Sequence, residues 1–175
     1  PKYHFKSHSD TEVVLYSYIE WGVKSLDKLR GMFTFAIYDN RLDKLFLARD
    51  KYGIKPLVYT QCNGNFIFTS ELKPLLISNI VPKQIDKVAL NQYFAYGSIK
   101  QPRTILKDVF HLLPGHYMII KNNQTMTKKF YDLEDNVKNI DLTYENAKIK
   151  LREKLEEATR YHMVADVDVG AFLSG

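Results

Sequence analysis

Apolar and polar residues alternate through much of the first half of the chain, and this alternation predicts short strands. Phe33 and Phe35 fall on one side of the first strand because successive side chains point to opposite faces. Asn63 and Gly64 separate two apolar runs and predict a hairpin, since a type I′ turn needs positive φ at both central residues. Neither face of these strands is wholly polar, so we expect covering layers on both sides. The predicted strands are residues 33–38, 44–50, 57–60 and 66–68.

Helix-capping signals flank the strands. Ser9 and Glu12 have the spacing of a capping box, so we expect a helix to begin at Asp10 and to end at Gly22. The other predicted helical segments are 23–29, 70–78, the segment between Asp86 and Gly97, and the segment from Thr143 to His162. A further hairpin is predicted over residues 117–131, turning at Asn122 and Asn123.

The last stretch, Val164 to Gly175, has a different pattern. Val167, Val169 and Leu173 belong to an apolar run that is typical of a buried parallel strand. Ser174 and Gly175 follow at once, and small residues after a strand open many phosphate-binding loops. A plain junction between a strand and a turn is the alternative.

Composition limits the classes of function. The 175 residues suffice for one domain, or for a domain plus part of another, and the 45% hydrophobic content predicts a packed core. The net charge of +5 is spread without a long basic run, so we expect no nucleic-acid partner. No apolar segment could span a membrane and no secretory signal opens the chain, so we expect no membrane partner. One cysteine, Cys62, cannot form an internal disulfide, which favours a reducing, cytoplasmic location.

Seven segments occur in the order seen in glutamine-hydrolysing asparagine synthetases, and the chain therefore resembles that family. The first segment and the RD-x-x-G-x-x-PL segment, Arg49 to Leu57, are shared by class II glutamine amidotransferases in general. The segments are SHSDTEV, GMFTFAIYD, LARDKYGIKPL, FTSELKPLL, YGSIKQPRTI, LLPGHY and ADVDVGAFLSG. We interpret Arg49, Asp50, Gly53 and Pro56 as structural, forming a turn and an internal ion pair that hold the strands.

The resemblance implies an α+β fold in two parts. Residues 1–132 would be the later part of a glutaminase domain, a four-layer α/β/β/α sandwich of the N-terminal-nucleophile type. Residues 133–142 would be a linker. Residues 143–175 would begin an ATP-binding synthetase domain, α/β and similar to the adenine-nucleotide α-hydrolases.

The resemblance also implies site residues. Asp10 matches the aspartate that grips the α-amino group of glutamine, and this role is compatible with a place in the first turn of a helix. Phe172, Ser174 and Gly175 match positions beside ATP, in a loop that reads Ser-Gly-Gly-x-Asp-Ser in the family. Asp168 stands where the family usually has proline. The histidines show no ligand spacing, so no metal site is proposed.

The function implied is asparagine synthesis, in which ammonia from glutamine is transferred to aspartate activated by ATP with Mg²⁺. The partners would be glutamine, aspartate and ATP, with a homodimer as one possible assembly. Two alternatives stay open. One is a related amidotransferase that acts on another carboxylate or on a sugar, and the other is a non-catalytic glutamine-binding module.

We predict that this chain alone does not hydrolyse glutamine. The family's nucleophile is an N-terminal cysteine whose own α-amine takes the thiol proton, whereas residue 1 here is proline and Cys62 lies in a predicted hairpin. No catalytic residue is therefore assigned. An ammonia-release assay with glutamine should give the rate of the buffer blank, and turnover above that blank would contradict the prediction.

Overall fold

The computed structural model describes residues 3–139 and 141–172, which contain five α-helices, one 3-10 helix and seven strands. Most of these elements lie where the sequence predicts them. The helices are α1, Asp10–Trp21; the 3-10 helix, Gly22–Asp27; α2, Leu72–Ser78; α3, Lys87–Tyr96; α4, Leu133–Asn136; and α5, Tyr144–His162. The strands are β1, Thr34–Asp39; β2, Lys44–Arg49; β3, Val58–Cys62; β4, Asn65–Thr69; β5, Phe110–His111; β6, His116–Lys121; and β7, Gln124–Lys129.

The strands form two antiparallel sheets, one in the order β1-β2-β6-β7 and the other in the order β4-β3-β5. The turn between β3 and β4 has φ of 51° at Asn63 and 75° at Gly64, which confirms the predicted hairpin. Asn122 and Asn123 also have positive φ in the turn between β6 and β7. The short strand β5 was not predicted, because two residues carry no readable alternation.

Strand β2 lies between two separate apolar layers. Phe46 and Ala48 point to one side and pack with Tyr18 of α1. Leu47 points to the other side and packs with Met118 of β6, in its own sheet, and with Leu57, next to β3 of the second sheet. Burial of a side chain as large as Phe46 stabilises the fold by about 2–3 kcal/mol.

Strand β3 has the same arrangement in the second sheet. Val58 packs with Leu75 of α2, and Tyr59 faces the layer between the sheets. The order of layers is therefore helix, sheet, sheet, helix, which confirms the expected four-layer sandwich and the expectation that both faces of the strands are covered.

Arg49 and Asp50, where β2 ends, are among the most buried charged side chains, 3% and 0% exposed. The Arg49 guanidinium donates to the carbonyls of Lys55 (2.8 Å), Gly53 (2.7 Å) and Leu112 (2.6 Å). The Asp50 carboxylate accepts from the amides of Tyr52, Ile54 and Lys55 at 3.0–3.1 Å. Arg49 also donates to Gln101 Oε1 at 2.9 Å. The expected internal ion pair is therefore wrong, because these groups satisfy the two charges and neither charge bonds the other.

Residues 137–175 form a second compact unit, separate from residues 1–136. Its helix, α5, begins at the predicted cap, where the Thr143 hydroxyl accepts from the Asn146 amide at 3.4 Å, and ends at His162. None of the described helices is long and apolar enough to cross a membrane. The short helix α4 lies within the predicted linker, and the boundaries at 132 and 142 stay predictions.

The strand predicted over the last stretch is wrong for its described part. Residues 164–172 form neither helix nor strand and are exposed. A buried parallel strand exists only beside a neighbour that pairs with it, and the described residues of the second unit contain no other strand. The α/β arrangement expected here is therefore represented only by α5.

The substitution Asp50→Asn should destabilise the first unit by about 2–4 kcal/mol. An asparagine oxygen can replace one carboxylate oxygen, but its amide group would then face a backbone N–H and leave that buried donor unpaired. Urea unfolding can be followed through the fluorescence of Trp21, the one tryptophan in the chain. The control is Asp27→Asn, an exposed carboxylate that should change stability by less than about 0.5 kcal/mol. Equal midpoints for the two variants would contradict the structural role of Asp50.

Candidate functional site

Helix α1 runs alongside β1 in the same direction. The Tyr18 hydroxyl donates to Asp39 Oδ2 at 3.1 Å, which fixes the later part of α1 beside the last residue of β1. Going back from Tyr18 to Asp10 covers about 12 Å of helix, and β1 is about 17 Å long. The first turn of α1 therefore lies beside the earlier part of β1. Burial and the hydrogen bond to Asp39 raise the pKa of Tyr18 to about 12.

A cleft of about 480 Å³, here called the Asp10 cleft, opens between the start of α1 and β1. Apolar side chains form much of its lining, with Asp10 on the helix and Lys55 on the loop between β2 and β3. The lining residues are Asp10, Thr11, Val14, Leu15, the run from Met32 to Tyr38, and Lys55. The structure thus places the predicted glutamine contact, Asp10, at the wall of a cleft, while its binding role stays a prediction.

The residues before α1 leave the Asp10 carboxylate available. Ser9 is the N-cap, and its hydroxyl accepts from the Thr11 amide at 3.2 Å. Glu12 accepts from the amides of Lys6 (2.9 Å) and Ser7 (2.8 Å), and these bonds hold the pKa of its carboxyl below the ordinary value. The predicted capping box is therefore wrong in its second half, because the preceding segment folds back and its amides reach Glu12 in place of the Ser9 amide.

Lys55 reaches the same cleft from a loop that is anchored to β1. The Asp50 amide donates to the Phe33 carbonyl at 2.8 Å, next to the start of β1. The Lys55 amide donates to Asp50 Oδ2 at 3.0 Å. Sequence reasoning missed Lys55 as a site residue, because only the fold brings it to within reach of α1 and the sequence shows it as part of a structural turn.

The residues that line the Asp10 cleft include no cysteine, serine or histidine. Cys62 ends β3, where its thiol donates to the Ile80 carbonyl at 3.5 Å. The cleft can therefore hold a ligand by charge and apolar contact, and its lining offers no thiol nucleophile and no imidazole base.

The expected ATP contacts are not brought together in the described residues. Phe172 is fully exposed, and Ser174 and Gly175 lie outside the described residues. Among residues 3–139 and 141–172, no group of three or more His, Cys, Asp or Glu side chains could hold a metal ion.

Comparison with family models gives a match to the glutamine amidotransferase domain over residues 1–131. The chain belongs to this family. Residues 150–175 of the chain match a second family model, asparagine synthase. The two matches follow each other along one chain, in the order expected from the sequence.

Curated proteins similar to this chain include synthetases and an amidase. The chain is 34% identical over 172 residues to asparagine synthetase [glutamine-hydrolyzing] 3 of Bacillus subtilis, covering 98% of this chain and 28% of the relative. It is 33% identical over 177 residues to amidase chyE of Penicillium rubens, covering 99% of this chain and 26% of the amidase. The chain thus spans about a quarter of the length of these relatives.

One similar solved structure is glutamine phosphoribosylpyrophosphate (PRPP) amidotransferase from B. subtilis, complexed with ADP and GMP. The alignment covers 74% of this chain and 24% of the amidotransferase chain. The sequence identity is 19% and the TM-score is 0.48.

Glu12→Gln should speed hydrogen exchange of the Lys6 and Ser7 amides by about tenfold, because a neutral acceptor binds them more weakly than a carboxylate. The lowered pKa of Glu12 gives the sign of the pH effect. Protection of these amides from exchange should be complete above pH 4.5, the ordinary pKa of a glutamate. It should be lost as the pH falls further, through the lowered pKa of Glu12.

Exchange measured by NMR between pH 3 and 7 tests this expectation. Glu134→Gln is the control, since Glu134 is an exposed carboxylate on α4. Unchanged protection of Lys6 and Ser7 in Glu12→Gln would show that other groups order this segment.

Proposed function

We propose that this chain provides the amino-acid-binding cleft and the first synthetase elements of a glutamine-hydrolysing asparagine synthetase. In this reaction, ammonia from glutamine is transferred to aspartate that ATP has activated, and the products are asparagine, glutamate, AMP and pyrophosphate. The observation that carries the proposal is the exposed Asp10 carboxylate at the wall of a largely apolar cleft. The order of the two family matches on one chain supports the synthetase assignment.

The role of Asp10 follows from its charge and its place. A carboxylate binds an α-ammonium group by a charge-assisted hydrogen bond, which is stronger than a bond between neutral groups. Asp10 begins α1, and the bond from Tyr18 to Asp39 holds that helix against β1. The apolar lining from Met32 to Ile37 would contact the methylene groups of glutamine. Asp10 would therefore select an amino acid over a simple amide.

ATP with Mg²⁺ would supply the activation of aspartate by forming an adenylate, which makes the carboxylate open to attack by ammonia. On this chain we assign Phe172, Ser174 and Gly175 to the neighbourhood of ATP from the family motif alone. A cytoplasmic location and a homodimer also stay predictions.

A second candidate is an amidotransferase that acts on another acceptor. The match to amidase chyE covers 99% of this chain at 33% identity, nearly the same as the match to the synthetase. The two candidates share the Asp10 cleft and differ in the acceptor. Assays of the full-length polypeptide with aspartate and with a panel of other carboxylates and amino sugars would separate them. Product formation with a different acceptor, and none with aspartate, would overturn asparagine synthesis.

Asp10→Asn should weaken binding of L-glutamine to the 175-residue chain by about 10- to 100-fold. The substitution keeps the size of the side chain and removes the charge that binds the ammonium group, and a hydrogen bond to a charged group contributes about 1.5–3 kcal/mol. NMR titration with L-glutamine measures the dissociation constant.

The control is Asp27→Asn, which removes an exposed carboxylate outside the Asp10 cleft and should leave the dissociation constant unchanged. Equal dissociation constants for Asp10→Asn and the unsubstituted chain would overturn the assignment of Asp10.

A further inference from the structure

A second cleft lies beside the turns of two hairpins, one from each sheet, and shares no lining residue with the Asp10 cleft. Its volume is about 310 Å³. Clefts that enclose small molecules begin at about 300 Å³, so a single small ligand could fit here. The lining of this cleft, here called the amide cleft, includes Gln61, Asn63, Asn65, Asn123, Phe66 and Ile120.

The two apolar residues are the more buried part of the lining and form its floor. Phe66 of β4 and Ile120 of β6 are half-buried, and both pack against the apolar cluster between the sheets that contains Leu47 and Met118. The Phe66 ring stacks on Tyr59, with 5.9 Å between the ring centroids and 19° between the planes. The floor of the cleft is therefore continuous with the packed core and does not depend on a mobile side chain.

The rim of the amide cleft consists of exposed amide side chains. Gln61 Nε2 donates to Thr125 Oγ1 at 2.9 Å, which joins β3 to β7 of the other sheet. Asn65 Nδ2 donates to the Asn63 carbonyl at 3.3 Å. Within residues 3–139 and 141–172, the side chains of Asn63 and Asn123 form no hydrogen bond with another residue. Their donors and acceptors are therefore available to a ligand.

The chemistry of this lining favours a neutral ligand with many hydroxyl groups. None of the described residues that line the amide cleft carries a charge, so an ion entering it would lose hydration without gaining an opposite charge. An amide offers both donors and an acceptor, which is what a hydroxyl group needs from its partners. A pyranose ring has hydroxyls around its edge and an apolar C–H face, which matches an amide rim above an apolar floor.

We propose that the amide cleft binds a neutral pyranose sugar, either free or at the end of a glycan. The C–H face of the ring lies against Phe66 and Ile120, and the ring hydroxyls bond the amides of Asn63 and Asn123. The site is separate from the Asp10 cleft, so this proposal does not depend on the proposed function.

The two turns allow each amide to be removed without strain. Asn63 and Asn123 have φ of 51° and 58°, a region that glycine occupies freely. Asn63→Gly and Asn123→Gly therefore delete the side-chain amide and keep the turn. Asn122, the neighbouring turn residue, has φ of 51° and does not line the amide cleft. Asn122→Gly is thus a matched control.

NMR titration of the 175-residue chain with the methyl pyranosides of glucose, galactose and mannose tests the proposal. The backbone amides of residues 61–66 and 120–125 should shift and saturate in the millimolar range with at least one of these sugars. Asn63→Gly and Asn123→Gly should each weaken that binding by about 3- to 10-fold, because each removes hydrogen bonds to the ligand. Asn122→Gly should leave the dissociation constant unchanged.

Three further ligands test the ring, the charge and the source of the sugar. Sorbitol has hydroxyls but no ring, and glucose 6-phosphate has a ring but carries charge, so both should bind more weakly than the methyl glycoside. Maltotriose ends in a pyranose that belongs to a longer chain. If it binds more tightly than methyl glucoside, the ligand is the end of a glycan, and equal binding assigns a free sugar.

Three results would overturn the proposal. The first is the absence of saturable shifts in the amide cleft with all three methyl pyranosides and with maltotriose. The second is equal weakening by Asn122→Gly and Asn123→Gly, because the effect would then come from the turn and not from the amide in the cleft. The third is binding of sorbitol or glucose 6-phosphate that equals or exceeds binding of the methyl pyranosides.

Discussion

The hydrogen bonds of Arg49 and Asp50 to the backbone are the constraint on which the rest of the first unit depends. Arg49 joins the end of β2 to the Leu112 carbonyl, which precedes β6, and Asp50 closes the loop through three amides. The Asp50 backbone also accepts from the Gly115 amide and donates to the Phe33 carbonyl, so this one residue joins β1, the loop and the start of β6. Buried charges of this kind are costly unless they are fully paired, and here backbone groups and the Gln101 side chain supply the partners.

The local pattern of the sequence predicted most elements because each depends on nearby residues. Alternation in β1 and β2, the Asn63-Gly64 turn and the caps at Ser9, Asp86 and Thr143 all act within a few positions of the chain. What failed depends on distant partners. The strand expected over residues 167–173 is absent from its described part, 167–172, because a parallel strand needs a neighbouring strand. The two-residue β5 exists only because β3 pairs with it.

The candidate site shows the same division. Asp10 could be chosen from the sequence, since a motif and a helix start coincide there. The cleft could not be predicted, because its walls come from α1, β1 and the loop that holds Lys55, which are distant in the sequence and are brought together by the fold. Lys55 carried no signal of its own, since its place beside α1 is a property of the fold and not of its spacing. Glu12 was expected to bond Ser9, but the segment before it supplies closer amides.

The bond between Tyr18 and Asp39 makes the geometry of the cleft insensitive to proton concentration over a wide range. Because the pKa of Tyr18 is raised, its contribution to the stability of the fold is complete below pH 10.0, the ordinary pKa. That contribution is lost only as the pH rises to about 12. The pKa of Asp39 is lowered, chiefly by the hydrogen bond from Arg41. Its contribution to stability is therefore complete above pH 3.8, the ordinary pKa, and is lost in more acidic solution. From mildly acidic to mildly alkaline solution, neither Tyr18 nor Asp39 changes its protonation state. A change in ligand affinity over that interval would therefore come from ionisation of other groups, on the protein or on the ligand.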